Sequence, residues 1–344
     1  MELPRTIQIG YDILKEIGLF IKRFDSLEKV LVVTGHNVGE LTNGIVEDSL
    51  RTEGLYTSWY RCTSSTMDEV EKVRDAIKNQ DAGLVIGLGG GKSVDLAKLG
   101  SFQAGVKFVS VPSSASHDGI SSPFASIRGE GRPYSYITKP PIGVLADVDL
   151  IAQAPHRLLA SGCGDLVAKF TAVKDWEMGR EEKGEYYGAY AASLALLSAE
   201  LVVSESEKIG SGAREYVRDV VEALISAGVA AGIAGSSRPC SGSEHLFSHA
   251  LDILAPGIGL HGEKCGLGTI MVANLQELDW EKIKKALEVV HAPTKASDIG
   301  LDENKVVEAM VMAPTIRPER HTILHKLRLN SDSARRLAKE TDVI

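Results

Sequence analysis

Short apolar runs and amphipathic stretches alternate along the first 150 residues. Three apolar runs lie in the segments KVLVVTGHNV, AGLVIGLGGG and VKFVSVPSS, and such continuous runs are typical of strands buried on both faces. Between the first two, TMDEVEKVRDAIKNQ places Val70, Val73 and Ile77 at helical spacing, and KSVDLAKLGSF follows the second. This order predicts an α/β domain with a parallel sheet covered by helices.

The pattern changes after Pro155, where long Ala- and Leu-rich segments have helical periodicity. Just before it, SYITKPPIGVLADVDLIAQAP is predicted to be extended, because Pro140 and Pro141 exclude a continuous helix. We therefore predict two domains, an α/β domain at 1–153 and a helical domain at 154–344.

Composition narrows the class of protein. The 344 residues carry a net charge of −8, with 44% hydrophobic and 24% charged residues, as in ordinary globular proteins. The acidic balance gives no general affinity for nucleic acid or anionic membranes. We find no secretory signal pattern and no apolar run of membrane-spanning length, and we expect a cytoplasmic protein. Four scattered cysteines without a CxxC pair are expected to be free thiols: Cys62, Cys163, Cys240 and Cys265.

The segment VIGLGGGKSVDLAK is the most informative motif of the first domain. Its glycines follow a buried strand and precede a helix, where bare backbone amides and the helix N-terminus suit a phosphate. Only three residues lie between Gly87 and Gly91, whereas the Walker motif needs four. The segment does not match GxGxxG either, because Lys92 occupies the last position. We favour diphosphate binding; the alternative is a tight turn whose glycines serve geometry alone.

A second polar loop, SSASHDGISSPFAS at 113–126, follows the next predicted strand. Ligands of open α/β sheets bind at the carboxyl ends of parallel strands, so we predict that this loop is functional. The alternative is an ordinary serine-rich connection.

Histidines and one aspartate in the second domain form a candidate metal site. His245 and His249, in SGSEHLFSHALD, are one helical turn apart, and LHGEKCG adds His261. Leu246 stands where a zincin needs glutamate, which argues against a zinc peptidase. With Asp165 of ASGCGDLVAKF, two histidines make a three-ligand site that leaves a position open for substrate. The alternatives are packing histidines and a helix N-cap at Asp165.

Five motifs together resemble those of the sn-glycerol-1-phosphate dehydrogenases, in the same order and over the full chain: GGGKSVDLAK, PSSASHDGISSP, GCGDLVAK, SGSEHLFSHALD and HGEKCGLGT. More broadly, the chain is similar to glycerol dehydrogenase, iron-dependent alcohol dehydrogenase and dehydroquinate synthase. This resemblance implies an α/β fold class, with an N-terminal Rossmann-like parallel-sheet domain, an all-helical C-terminal domain and an active site in the cleft between them.

The resemblance also implies roles for individual residues. Zinc would bind Asp165, His245 and His261, and through zinc these residues would be catalytic. Substrate would contact Asp118, Asp165 and His249. The NAD(P) cofactor would bind Gly89, Gly90, Gly91, Lys92, Ser93, Val94, Asp95, Ser113, Ser114, Ala115, Ser116 and Ser122, with Ala115 contributing only backbone.

The implied reaction is reversible reduction of dihydroxyacetone phosphate to sn-glycerol 1-phosphate with NADH or NADPH and Zn²⁺, for ether-lipid synthesis. A homo-oligomer is expected. Three other functions stay open: a glycerol dehydrogenase of unphosphorylated polyols, a dehydroquinate-synthase-like cyclase and a noncatalytic nucleotide-binding protein. The substrate phosphate has five candidate cations: Lys92, Arg128, Arg132, Arg238 and Lys264.

Overall fold

A parallel sheet forms the centre of the amino-terminal half. The structure is a computed structural model that describes residues 2–24, 28–129 and 132–344; the side chains of Arg128 and Arg132 lie outside that description. Within the described residues the sheet has six strands in the order β1-β8-β5-β4-β2-β3, all parallel. They are β1 (Thr6–Gly10), β2 (Lys29–Thr34), β3 (Tyr56–Arg61), β4 (Leu84–Gly89), β5 (Lys107–Pro112) and β8 (Gly143–Asp147).

Helices cover both faces of this sheet, as the continuous apolar runs predict. Val30 and Val32 of β2 pack in the core beneath α1 and α2, whereas Leu31 and Val33 face the core beneath α3 and α4. This alternation follows from the two-residue period of a strand. The helices are α1 (Ile17–Ile21), α2 (His36–Thr52), α3 (Met67–Asn79) and α4 (Gly91–Ala104).

The order of the strands creates a crevice at one edge of the sheet. β2 pairs with β3 on one side and with β4 on the other, and the chain continues from β4 to β5 in the opposite direction from β3. A ligand crevice forms outside the carboxyl ends of strands at such a switch point. Gly35 and Gly90, which follow β2 and β4, both line the cavity described below.

The segment between β5 and β8 contains an antiparallel hairpin, β6 (Phe124–Gly129) and β7 (Arg132–Ile137). The prediction that 135–155 is extended throughout is wrong at its end, where α5 (Val148–Ala152) forms. Asp147 caps this helix, because its carboxylate accepts hydrogen bonds from the backbone of Asp149 and Leu150.

The carboxyl-terminal half is helical from His156 onward. One continuous core joins its helices to β8 and α5. The stretch YAASLALLSAELVVSESEKI is divided at Glu205 into two helices. The helices are α6 (His156–Lys183), α7 (Ala189–Ser204), α8 (Ser206–Gly210), α9 (Arg214–Ala234), α10 (Ser243–Leu254), α11 (His261–Leu275), α12 (Trp280–Val289), α13 (Glu303–Met312), α14 (Ile323–Leu327) and α15 (Ser331–Glu340).

Two expectations from composition can be compared with the structure. Over the described residues, no helix has both the length and the apolar character needed to cross a membrane. All four cysteines are buried free thiols, as predicted.

Candidate active site

A cavity of about 650 Å³ lies between the sheet and the helical half. The sheet side contributes the glycine loop after β4 and the serine-rich loop after β5, and the helical side contributes residues of α6, α10 and α11. A cavity of this size matches those that hold cofactors and small substrates. The two loops and the histidine motifs singled out in the sequence therefore share one space.

Glycines bring the parts of this site into backbone contact. A Cβ added to Gly164 of α6 would lie 2.2 Å from the carbonyl oxygen of Gly262 in α11, and one added to Gly162 would lie 2.1 Å from that of Ala115. Any side chain at these positions would force the elements apart. The first approach places Asp165 beside His261, and the second holds the serine-rich loop against α6.

Asp165, His245, His261 and Cys265 form a compact group of potential metal ligands. All four ligand atoms lie within 4.8 Å of one another. Asp165 Oδ1 is 3.4 Å from His245 Nε2 and 3.8 Å from His261 Nε2, and Cys265 Sγ is 3.6 Å from His261 Nε2. Bonds of about 2.0–2.3 Å place tetrahedral ligands roughly 3.3–3.6 Å apart, so the group fits a zinc-sized ion with N, O and S donors.

The two carboxylate oxygens of Asp165 have different partners. Oδ2 accepts the backbone N–H of Asp118 at 2.9 Å and lies 3.0 Å from Lys169 Nζ, while Oδ1 faces the histidines. Burial raises the pKa of Asp165, but the Lys169 ammonium and His245 outweigh burial and hold that pKa well below its usual value. Asp165 is an interior residue of α6, so the N-cap alternative is wrong. Its carboxylate is ionised and one oxygen is available to a cation.

Buried carboxylates orient the two histidines. Glu244 Oε1 lies 2.8 Å from His245 Nδ1, which assigns the proton to Nδ1 and leaves the Nε2 lone pair toward Asp165. His261 is the first residue of α11, and Glu263 fixes that end by accepting the backbone N–H of Leu260 at 2.7 Å. Burial, and after it His245, holds the pKa of His261 well below its usual value. His261 can therefore act as a neutral ligand. Burial lowers the pKa of His245, but Cys265, Asp165 and Glu244 outweigh burial and hold that pKa well above its usual value, so a metal ion at Nε2 has to displace a proton.

The glycine loop forms the opposite wall of the cavity. Gly90, Gly91, Lys92 and Ser93 line it at the start of α4, where the first amides of a helix attract anions. A Cβ on Gly91 would lie 2.0 Å from His117 Nε2, so only glycine allows this imidazole to cover the loop.

The other predicted cofactor residues divide into two groups. Asp95, Ser114, Ser116 and Ser122 line the cavity. Gly89, Val94, Ser113 and Ala115 do not belong to its wall, and Val94 packs into the core instead. For these four, a cofactor contact stays a prediction.

Asp95 also supports the second loop. Its Oδ2 accepts the backbone N–H of Ser126 at 3.0 Å, and its Oδ1 lies 3.3 Å from Lys98 Nζ. Lys98 is fully buried and donates to the carbonyl oxygens of Gly119 and Phe124, both at 2.6 Å. This pair of charges therefore fixes the loop that carries Asp118.

The predicted substrate residues lie beside the metal candidates. Asp118 lines the cavity and pairs with Lys169 at 2.8 Å, and His249 lines it with its ring centre 6.5 Å from that of His245. His249 lies outside the group of four potential ligands, and its contact with substrate stays a prediction.

Three residues of this site escaped the sequence-based prediction. Lys169 and Glu244 are fully buried, and Cys265 was assigned only as a free thiol. Cys265 had a readable signal, because it lies one helical turn after His261. Lys169 likewise follows Asp165 by four residues, whereas the role of Glu244 depends on a tertiary contact.

The chain is similar over its full length to known proteins. The chain is 48% identical over 344 residues to a protein of Nitrosopumilus maritimus (strain SCM1) named glycerol-1-phosphate dehydrogenase with NAD(P)+, covering 100% of this chain and 97% of that one. It is 51% identical over 345 residues to a protein of the same name from Cenarchaeum symbiosum (strain A), covering 100% and 96%. The family model described as iron-containing alcohol dehydrogenase matches residues 8–155.

Solved structures share the architecture. A probable glycerol dehydrogenase from Sinorhizobium meliloti 1021 superposes with a TM-score of 0.83 at 21% identity, covering 99% of this chain and 97% of that one. Glycerol dehydrogenase from Schizosaccharomyces pombe also gives 0.83, at 19% identity, covering 99% and 90%. These likenesses confirm the predicted fold class.

Proposed function

The chain belongs to the glycerol-1-phosphate dehydrogenase family, and we propose that it reversibly reduces dihydroxyacetone phosphate to sn-glycerol 1-phosphate with NADH or NADPH. It is an oxidoreductase, and the resemblance inferred from its five motifs is confirmed. The observation that supports the proposed reaction is that the potential metal ligands Asp165, His245 and His261 lie across one cavity from the glycine loop. A product of this kind would supply the glycerophosphate backbone of ether lipids.

Zn²⁺ is the metal we assign to Asp165, His245 and His261. Two imidazoles and a carboxylate are typical zinc ligands, and three protein ligands leave a position for substrate. The chemistry that zinc supplies at such a site is Lewis acidity toward the ketone oxygen. Lys169 and Asp118 hold Asp165 in place, and Glu244 fixes the tautomer of His245.

The remaining residues bind and orient the reactants. Gly90 and Gly91 let the cofactor diphosphate approach the backbone closely, and Ser93 lines the cavity beside them at the start of α4. Asp118 and His249 contact substrate between this loop and the metal ligands. Holding both reactants in one partly enclosed cavity aligns them and excludes water.

We also propose that the enzyme is cytoplasmic. Four free thiols are consistent with the reducing cytoplasm. A homo-oligomer stays a prediction.

The reaction is tested by following NADH and NADPH oxidation with dihydroxyacetone phosphate, before and after chelation and after zinc is restored. We expect turnover that is lost on chelation and regained with zinc. Oxidation of NADH or NADPH with dihydroxyacetone but not with its phosphate would instead identify a polyol dehydrogenase. Conversion of a sugar phosphate without net NADH consumption would identify a cyclase, and cofactor binding without turnover would identify a noncatalytic protein.

A further inference from the structure

A second cavity of about 400 Å³ adjoins the first on the helical side. Phe124, Ser135, Ser237, His249 and Arg317 line both cavities. Arg317 lies in the segment between α13 and α14, which the sequence-based interpretation did not single out. The junction of the two cavities therefore has a guanidinium beside a predicted substrate contact.

Among the described cations of the cavity walls, Arg317 differs in having a free guanidinium. Its side chain makes no ion pair or hydrogen bond with any described residue, although it is partly buried. Glu319, the nearest carboxylate in sequence, is beyond ion-pair distance of it in the described structure. Burial lowers the pKa of Arg317 more than the charge of Glu319 raises it, because the guanidinium is partly withdrawn from water and has no ion-pair partner among the described residues.

The other described candidate cations are already engaged. Lys264 pairs with Asp252, and Arg238 makes a two-pronged ion pair with Glu185. Lys92 lies at the glycine loop and donates to the carbonyl oxygen of Thr63 at 3.3 Å. The side chains of Arg128 and Arg132 are outside the described residues.

The surroundings of Arg317 carry surplus positive charge. Arg320 donates to the carbonyl oxygen of Ser241 at 2.6 Å and to the hydroxyl oxygen of Ser237, and it has no carboxylate partner among the described residues. Burial, and after it the charges of Arg317 and Arg238, lowers the pKa of Arg320 to about 9. Because Ser237 Oγ accepts from Arg320, its own hydroxyl proton is free for an anion.

His249 connects this positive region to the metal candidates. Burial lowers the pKa of His249; Asp252 offsets this in part, and the charges of Arg317 and His245 add to the lowering. Its ring centre is 6.1 Å from that of His261. Arg317 and His249 line both cavities, so the guanidinium shares with His249 the space that leads to the metal candidates.

We propose that Arg317, assisted by Ser237, binds the phosphate group of the substrate while the ketone faces Asp165, His245 and His261. This assignment rests on the proposed function, because it takes the substrate to be a phosphate ester. A guanidinium fork matches phosphate geometry and gives charge-assisted hydrogen bonds. Arg317 would thereby distinguish dihydroxyacetone phosphate from dihydroxyacetone.

The test compares Arg317→Gln with the wild type on these two ketones, at saturating NADPH. We expect kcat/KM for dihydroxyacetone phosphate to fall about 100-fold, mainly through KM, because a charged partner of a dianion is lost. The value for dihydroxyacetone should change far less, so the preference for the phosphate ester collapses. Arg317→Lys, which keeps the charge but not the fork, should recover part of that preference.

Three controls distinguish phosphate binding by Arg317 from a general effect of losing a charge and from cofactor binding. Arg336→Gln removes an exposed arginine of α15, remote from both cavities, and should leave the preference unchanged. Inhibition by inorganic phosphate should weaken in Arg317→Gln but not in Arg336→Gln. The KM for NADPH should be unchanged; a rise there would show that Arg317 binds the cofactor and would overturn the assignment.

Failure of the subsite is distinguishable from failure of the proposed function. Equal losses on both ketones, or an unaltered preference in Arg317→Gln, would refute the subsite while leaving the reaction intact. A wild-type enzyme that does not prefer dihydroxyacetone phosphate would refute the proposed function itself, whatever the variant does.

Discussion

His261 tests the metal assignment most simply, because its side chain is a third exposed and lies at the start of α11. Replacing it removes a ligand without opening a large core cavity. We expect His261→Ala to lose bound zinc and at least about 100-fold in turnover, since Lewis-acid stabilisation is worth several kcal/mol. Metal analysis measures the loss of zinc, and steady-state kinetics measures the loss of turnover. The free energy of unfolding of the metal-free protein in urea should change by less than about 1 kcal/mol.

His291→Ala is the matched control for that variant, because His291 is exposed at the end of α12 and does not line the cavity. It should keep both zinc and activity. A zinc-free His261→Ala enzyme with full turnover would remove the metal from the account.

Cys265 raises the question of a fourth ligand. Burial raises the pKa of its thiol, which favours the protonated form. We expect Cys265→Ser to keep most of its zinc and turnover, because three ligands remain and the fourth position belongs to substrate. Metal analysis after dialysis, beside Cys163→Ser as a buried control in α6, checks this. Loss of zinc from Cys265→Ser alone would make the thiol a required ligand.

Single residues were predictable where their neighbours in sequence explain them. Asp165, His245 and His261 stand in recognisable motifs, and the structure brings them together. The contacts that orient them join distant positions, such as Thr171 Oγ1 donating to Glu244 at 2.6 Å. Periodicity carries no information about such pairs, so the role of Glu244 was not predictable, unlike that of Lys169, which lies one helical turn after Asp165.

The buried carboxylate of Asp175 connects four helices of the carboxyl-terminal half. Asp175 of α6 accepts hydrogen bonds from the backbone of Ser243 and Ile323, each at 2.7 Å, and from Gln276 Nε2 at 2.9 Å. These partners belong to α10, α14 and the end of α11. Burial, and after it the charge of Glu244, raises the pKa of Asp175 to about 7.

This raised pKa predicts a pH dependence of stability. The folded state holds the Asp175 proton above the unfolded pKa, so the contribution is present at low pH and is lost as pH rises through about 7. We expect the free energy of unfolding of wild type, relative to Asp175→Asn, to decrease from about pH 5 to about pH 8. Urea unfolding of the metal-free proteins measures this difference. A constant difference would contradict the assignment; exposed Asp332→Asn is the control.

Secondary structure elements were predictable where one periodicity dominates. The strands β2, β4 and β5 and the helix α3 lie where their apolar patterns place them. Helix α5 was missed because its five residues are too few to establish a helical period, and its cap at Asp147 decides the local structure. Close approach at Gly164 and Gly262 was also hidden, because sequence alone does not show which glycine meets another backbone.

For the whole molecule, the alternation of strands and helices followed by helices alone was enough to predict the fold class, which is confirmed. The domain limits 1–153 and 154–344 remain our proposal, consistent with the start of α6 at His156. Sequence could not show how the two halves enclose a cavity, because that depends on the packing of α5 and α9 against the sheet edge.

The central claim is that the sheet half holds the cofactor and the helical half holds the ketone, so hydride reaches one face of C2. The most direct test determines the chirality of glycerol phosphate formed from dihydroxyacetone phosphate by the zinc-loaded enzyme with NADPH. We predict the sn-1 enantiomer, formed only with zinc present. Formation of the sn-3 enantiomer, of a racemate or of no glycerol phosphate would contradict the account.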